Sequence, residues 1–130
     1  MSTRYGFSKQ VALAFDQAIE RVTAELQKEG FGVLTDVDVS ATMKKKLDED
    51  IPPYRILGAC NPKLAHQAMT AEPSIGLLLP CNVVVREDAV GAVFVEFMDP
   101  VAVLQLVDNP NIEPLAVTVR GKLDRVMQAI

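Results

Sequence analysis

The chain has 130 residues, 49% of them apolar and 5% aromatic, with no Trp and a formal net charge of −4 at pH 7. A chain of that length is one domain's worth and can bury roughly two-thirds of the surface its unfolded form exposes, so it needs no metal or disulfide staple. The acidic balance excludes a phosphate-backbone partner, which demands a basic stripe, and Lys44-Lys45-Lys46, followed at once by Asp48-Glu49-Asp50, reads as a solvated helix face.

Taken along the chain, residues 4–11 alternate loosely through Tyr5, Phe7, Lys9 and Val11 and suit a first strand. The period then changes. Phe15, Ala18, Ile19, Val22 and Leu26 repeat at three- and four-residue spacing, which predicts an amphipathic helix over 13–29 closed by Gly30. Phe31–Val37 is rich in β-formers and predicts a second strand. Ser40 can cap a short helix carrying Met43 and Leu47 on one face. Pro52-Pro53 then holds the chain extended into a third strand, Tyr54–Cys60.

Asn61-Pro62 is a helix start: the Asn side chain caps, and proline at the first helical position loses no useful hydrogen bond. That helix carries Leu64, Ala65, Ala68 and Met69 inward and stops before Pro73. Ile75–Arg86 and Val90–Met98 predict two strands joined by a short hairpin at Glu87-Asp88-Ala89. Asp99-Pro100 opens another helix through about Val107, and Asn109-Pro110 ends it. Leu115–Val119 alone could be strand, but Leu115, Val119, Leu123, Val126 and Ile130 share one helical face and favour helix over 113–129. The order lacks regular βαβ alternation and has a hairpin at its centre. It predicts a single α+β domain over 1–130, with about five mostly antiparallel strands and helices on one face.

Dinucleotide, P-loop, zinc-protease and nucleophile-elbow signatures are all missing, so nothing marks the chain as an enzyme. With one His, a multi-histidine metal site within one chain is excluded. No run approaches the ~18 apolar residues of a membrane span. The first residues lack the apolar core of a secretory signal, so the expected location is the cytoplasm, with reduced cysteines. Asp36 and Asp38, two apart on a strand, share a face and read as solvated acids at a strand exit.

The chemistry-bearing residues are the two cysteines, in Ala59-Cys60-Asn61-Pro62 and Leu79-Pro80-Cys81-Asn82. Cys60 ends a strand just before a helix N-terminus, whose partial positive charge stabilises a thiolate. His66, in the second turn of that helix, could lean back toward the sulfur. Pro80 cannot donate to a ladder, which places Cys81 on an edge strand or at a bulge. Free cysteine is also simply a small core residue in most proteins. A third candidate is Pro53-Tyr54-Arg55, a rigid entry that could present a ring and a cation to a small anion.

Gly30-Phe31-Gly32-Val33-Leu34, Pro53-Tyr54-Arg55-Ile56-Leu57, Ala59-Cys60-Asn61-Pro62 and Leu78-Leu79-Pro80-Cys81-Asn82-Val83 together resemble the bacterial and archaeal family known as domain of unknown function 302. The resemblance spans nearly the whole chain. It implies a strongly bent antiparallel sheet flanked by helices, like the saddle of the TATA-binding protein, and it implies a homodimer but no activity or cofactor. The leading functional expectation is a pocket for a small ligand or a sulfur species, lined by Cys60, Cys81, His66 and Tyr54 with Pro53, Asn61 and Pro80 beside them. The alternatives are an interaction protein acting through its dimer surface, or a soft-metal protein holding Cu or Zn on Cys60, Cys81 and His66.

Overall fold

A computed structural model describes residues 3–130. Among these residues five strands form one antiparallel sheet in the order β1-β5-β4-β3-β2. The strands are β1 (Gly6–Val11), β2 (Gly32–Asp38), β3 (Tyr54–Cys60), β4 (Cys81–Glu87) and β5 (Val93–Met98). Between them run α1 (Phe15–Lys28), α2 (Val39–Leu47), α3 (Pro62–Ala71), α4 (Pro100–Leu104) and α5 (Glu113–Ala129), with 3₁₀ turns at Pro73–Leu78 and Gln105–Val107.

The pleat sorts the strands into two faces. Phe7, Leu57, Val83, Val85, Val95 and Phe97 point to one face and are buried beneath α1 and α5. The two helices present the apolar stripes their spacing predicts: Ala18, Val22 and Leu26 from α1, and Val119, Leu123 and Val126 from α5. The C-terminal carbonyls of α5 are held by basic side chains. Lys9 Nζ donates to Met127 O (3.1 Å) and Ile130 O (2.5 Å), and an Arg21 guanidinium N–H donates to Ala129 O (2.6 Å), cations where the helix dipole is negative. A second, smaller apolar cluster unites Ala68, Ile75, Leu104, Ile112 and Ala116 where α3, α4 and the start of α5 meet. The other face of the sheet carries no helix from α1 or α5.

Four local expectations are corrected. Asp38, not Ser40, caps α2: its carboxylate accepts from Ala41 N, and Ser40 donates its hydroxyl to the same oxygen. Ile75–Leu78 is a 3₁₀ turn rather than strand, because Pro73 opens a helical turn and the chain reaches the ladder only after Pro80. The hairpin turn is longer than Glu87–Ala89. Asp88 accepts from the N–H groups of Val90 and Ala92, Gly91 takes a positive φ of 86°, and β5 begins at Val93. Finally, β4 is central, not an edge, since Pro80 precedes its first residue and removes no ladder donor. The final segment is helical, as the shared face of Leu115, Val119, Leu123 and Val126 predicts.

Candidate functional site

Asn61 and Pro62 set α3 as expected. The Asn61 side chain accepts from Leu64 N at 3.2 Å, and Pro62 occupies the first turn. The helix then turns Leu64, Ala65, Ala68 and Met69 toward the end of the sheet, where they form one wall of a cavity of about 310 Å³. The large core contributes Phe31, Ala59, Cys81 and Val119 to its lining, and the small cluster contributes Leu104 and Ile112. The cavity therefore lies at the junction of the two apolar clusters. Small residues keep it open: Ala59, Ala65, Ala68 and Gly76 stand where bulkier ones would fill it. A methyl added at Gly76 would meet nothing within 4 Å. Leu34 and Met69 also line the cavity and are 66% and 44% exposed, which marks its mouth.

Both cysteines line this one cavity. Cys81 stands opposite Ala59 on the helix-covered face; Cys60, one residue on, alternates to the other side. It still lines the same space because β3 ends there and the cavity reaches round the strand terminus. Both thiols are free. Burial pushes the Cys60 thiol up, and burial, helped by the neighbouring Cys60, pushes Cys81 up to about 11. Both shifts run against the expected activation of Cys60, with desolvation of the anion as their leading cause, so both sulfurs hold their protons near neutrality.

Pro80 and Asn61 line the cavity beside the thiols. A close approach packs the region: a methyl at Gly58 would lie 2.1 Å from Thr35 Oγ1 and 2.8 Å from Pro80 Cγ, so only glycine fits between them. The remaining expected residues lie elsewhere. His66 is exposed and outside the lining. On a 3.6-residue helix whose inward face is Leu64, Ala65, Ala68 and Met69, position 66 falls on the far side. No group of three His, Cys, Asp or Glu suited to a metal occurs among the described residues, so Cys60, Cys81 and His66 do not form the three-ligand set envisaged for Cu or Zn.

Tyr54 is on the opposite face of the sheet. There it lines a separate groove of about 330 Å³ with Tyr5, Val84, Glu96 and Met98. Pro53, just before it, accepts from Glu87 N through its carbonyl and lines neither space. Arg55, which stands opposite Asp38 in the ladder, reaches diagonally to Asp36 in a two-point ion pair, so that acid is tied to a cation rather than to Asp38.

Sequence reasoning missed the walls supplied by Phe31, Leu34, Thr35, Leu104 and Ile112. The signal available was the run of small residues among the inward positions of α3. The partners that face them come from segments tens of residues away, which no local pattern connects.

An antiparallel five-stranded sheet covered by helices on one face, with an apolar thiol-lined cavity at its end, defines an α+β domain. The domain of unknown function DUF302 matches residues 7–130, and the chain belongs to that family. Its fold is that of a solved relative described as an uncharacterized conserved DUF302 protein from Bacillus stearothermophilus. That structure is 24% identical, covers 98% of each chain and superposes with a TM-score of 0.90. No curated protein matches the chain.

Proposed function

We propose that the chain is a binding module for a small, largely apolar ligand, held in the cavity between the end of the sheet and α3 with Cys60 and Cys81 in its wall. The observation that carries this reading is the cavity itself. Protein interiors normally close to crystal-like density, yet here alanines, a glycine and two thiols line an open space between two packed clusters. Its volume lies at the small end of the range for ligand sites, about 300–1,000 Å³. Protonated sulfurs favour lining or soft-contact roles over nucleophilic ones. Free thiols suit a reducing compartment, which fits a cytoplasmic protein; no helix among the described residues is long and apolar enough to cross a membrane.

The test is binding of N-phenylnaphthylamine, a neutral fluorophore that brightens in apolar surroundings, to the native chain and to Ala65→Phe, which fills the space. The native chain is expected to bind it and to react more slowly with iodoacetamide at Cys60 when it is bound. Ala65→Phe is expected to fold and to bind weakly or not at all. Equal fluorescence from both proteins, or none from either, would sink the reading.

A second reading, a homodimer formed through the uncovered sheet face, is favoured by a departure from the usual pattern. A solvated face of an antiparallel sheet alternates to polar residues, but here Val37, Ile56, Val84, Phe94 and Met98 share it. Its charges, Arg86 and Glu96, form a 2.6 Å ion pair, leaving a neutral surface that a copy of a −4 chain can approach. In the saddle-like architecture expected from the resemblance this is the exposed side. Sedimentation equilibrium should show a dimer that Val84→Lys converts to monomer; a monomeric native chain at all concentrations would remove this reading.

A further inference from the structure

We infer a second binding site, independent of the cavity: the groove of about 330 Å³ on the sheet face away from α1 and α5 takes an organic cation, an ammonium or guanidinium head carried on a flat apolar body. A glycine leaves the floor bare. Gly6 stands opposite Met98, and a methyl at Gly6 would lie 2.8 Å from Phe97 O, so only glycine fits there. Met98 and Val84 supply the apolar floor beside that backbone. Tyr54 stands opposite Arg86, two residues past Val84, and so marks one end. Tyr5, next to Gly6, marks the other and is pinned there: its carbonyl accepts from Asp99 N at 2.8 Å, and its N–H donates to Thr3 Oγ1 at 3.3 Å. Both tyrosines of a chain with no Trp therefore flank this one groove, and the faces of such rings attract cations.

The charge between the two rings selects the ligand. Glu96, opposite Val84, is the one charged residue in the lining. Arg86 holds it through a single hydrogen bond, Nε–H to Oε1 at 2.6 Å, and Oε2 lies outside that bond. The Arg86 guanidinium is turned aside: its carbon lies 4.7 Å from the centre of the Phe94 ring, and neither residue lines the groove. A carboxylate can accept from more than one donor, so an ammonium in the groove shares Glu96 with Arg86 and gains a charge-assisted hydrogen bond. The exposed Asn82 amide lies on the same face and can accept a further proton. A neutral ligand gains the floor without the charged bond. An anion meets Glu96 and a chain of net charge −4, and is excluded.

Amide chemical-shift titrations of the full chain with 2-naphthylmethylammonium, 2-naphthylmethanol and 2-naphthoate test the assignment, since these ligands share one ring system and differ in charge. At the amides of Val84, Glu96 and Met98 the ammonium is expected to bind about tenfold more tightly than the alcohol, and naphthoate not detectably. Ala65 and Ala68, in the cavity, are expected to stay unmoved by the ammonium. Glu96→Gln keeps the shape and removes the charge; it should bring the ammonium down to the alcohol while leaving the alcohol unchanged, which a merely structural role would not do. Tyr54→Leu should weaken the ammonium more than the alcohol. A second copy seated on this face would compete, so the ammonium should also shift any such dimer toward monomer in sedimentation equilibrium. Alcohol or naphthoate binding as tightly as the ammonium, shifts confined to the cavity, no binding at all, or an unchanged ammonium-to-alcohol ratio in Glu96→Gln overturns the assignment; the apolar-ligand reading of the cavity stands or falls separately, on its own probe.

Discussion

Cys81 shows how burial decides the chemistry of a side chain. Its thiol is 7% exposed and surrounded by the walls of the cavity, so the anion is disfavoured and the proton is held to about pH 11. The unfolded chain releases that proton near the ordinary value of 9.0. Below pH 9 both states hold it and the contribution to stability is fully present. As the pH rises the unfolded state ionises first, so stability declines until the native thiol itself ionises. The decline attributable to Cys81 is expected to reach about 2–3 kcal/mol. Denaturant melts of the native chain and Cys81→Ser between pH 8 and 11 check it: the difference between the two should change with pH in that window and be flat below it. Cys60 was legible as a strand-terminal residue before a helix, but its state was not. Whether the helix terminus or desolvation wins depends on the groups packed around the sulfur, and those come from β2, α3 and β4.

Among the elements, α3 is the one most fully written in local chemistry. Asn61 caps it, Pro62 opens it, and the inward face of Leu64, Ala65, Ala68 and Met69 follows from the 3.6-residue period alone. Asn61→Ala is expected to cost about 1 kcal/mol through loss of the cap and to lower the melting temperature by roughly 3–6 °C. Asn61→Asp is expected to retain stability; thermal melts of the three proteins decide it. The same period also rules out His66 as a partner of the thiols, because it stands on the outer side. β4 is the opposite case. Its apolar run extends back through Ile75, and nothing in the pattern separates strand from 3₁₀ turn; the boundary is set by where β3 offers hydrogen bonds, from Ala59 opposite Cys81 onward. Hairpin length was likewise decided by the Asp88 side chain bonding forward to Val90 and Ala92 rather than by strand propensity.

The two apolar clusters are joined by α5, which carries Ala116 into the smaller one and Leu123 and Val126 into the larger. A shared helix makes them one cooperative unit. Leu123→Ala and Ile112→Ala, at fully buried positions of the larger and smaller clusters, should each cost about 2–5 kcal/mol. Each should lower a single unfolding transition, not split it. Circular dichroism and tryptophan-independent probes such as thiol exposure should report coincident midpoints; a separate early transition in Ile112→Ala would show the smaller cluster to be an independent unit. The class of fold, the helices with their apolar faces and the β3–α3 junction were legible from residue order, because they rest on period, caps and proline, which act over a few residues; that Cys60 and Cys81 lie together was decided by the β3–β4 register. The cavity, its uncharged lining, the protonated thiols, and the placement of Tyr54 on the opposite face emerged only in three dimensions. Each depends on strand register and on contacts between segments far apart in the chain, and a pleat that alternates every residue turns a single position of register into the difference between one face of the sheet and the other.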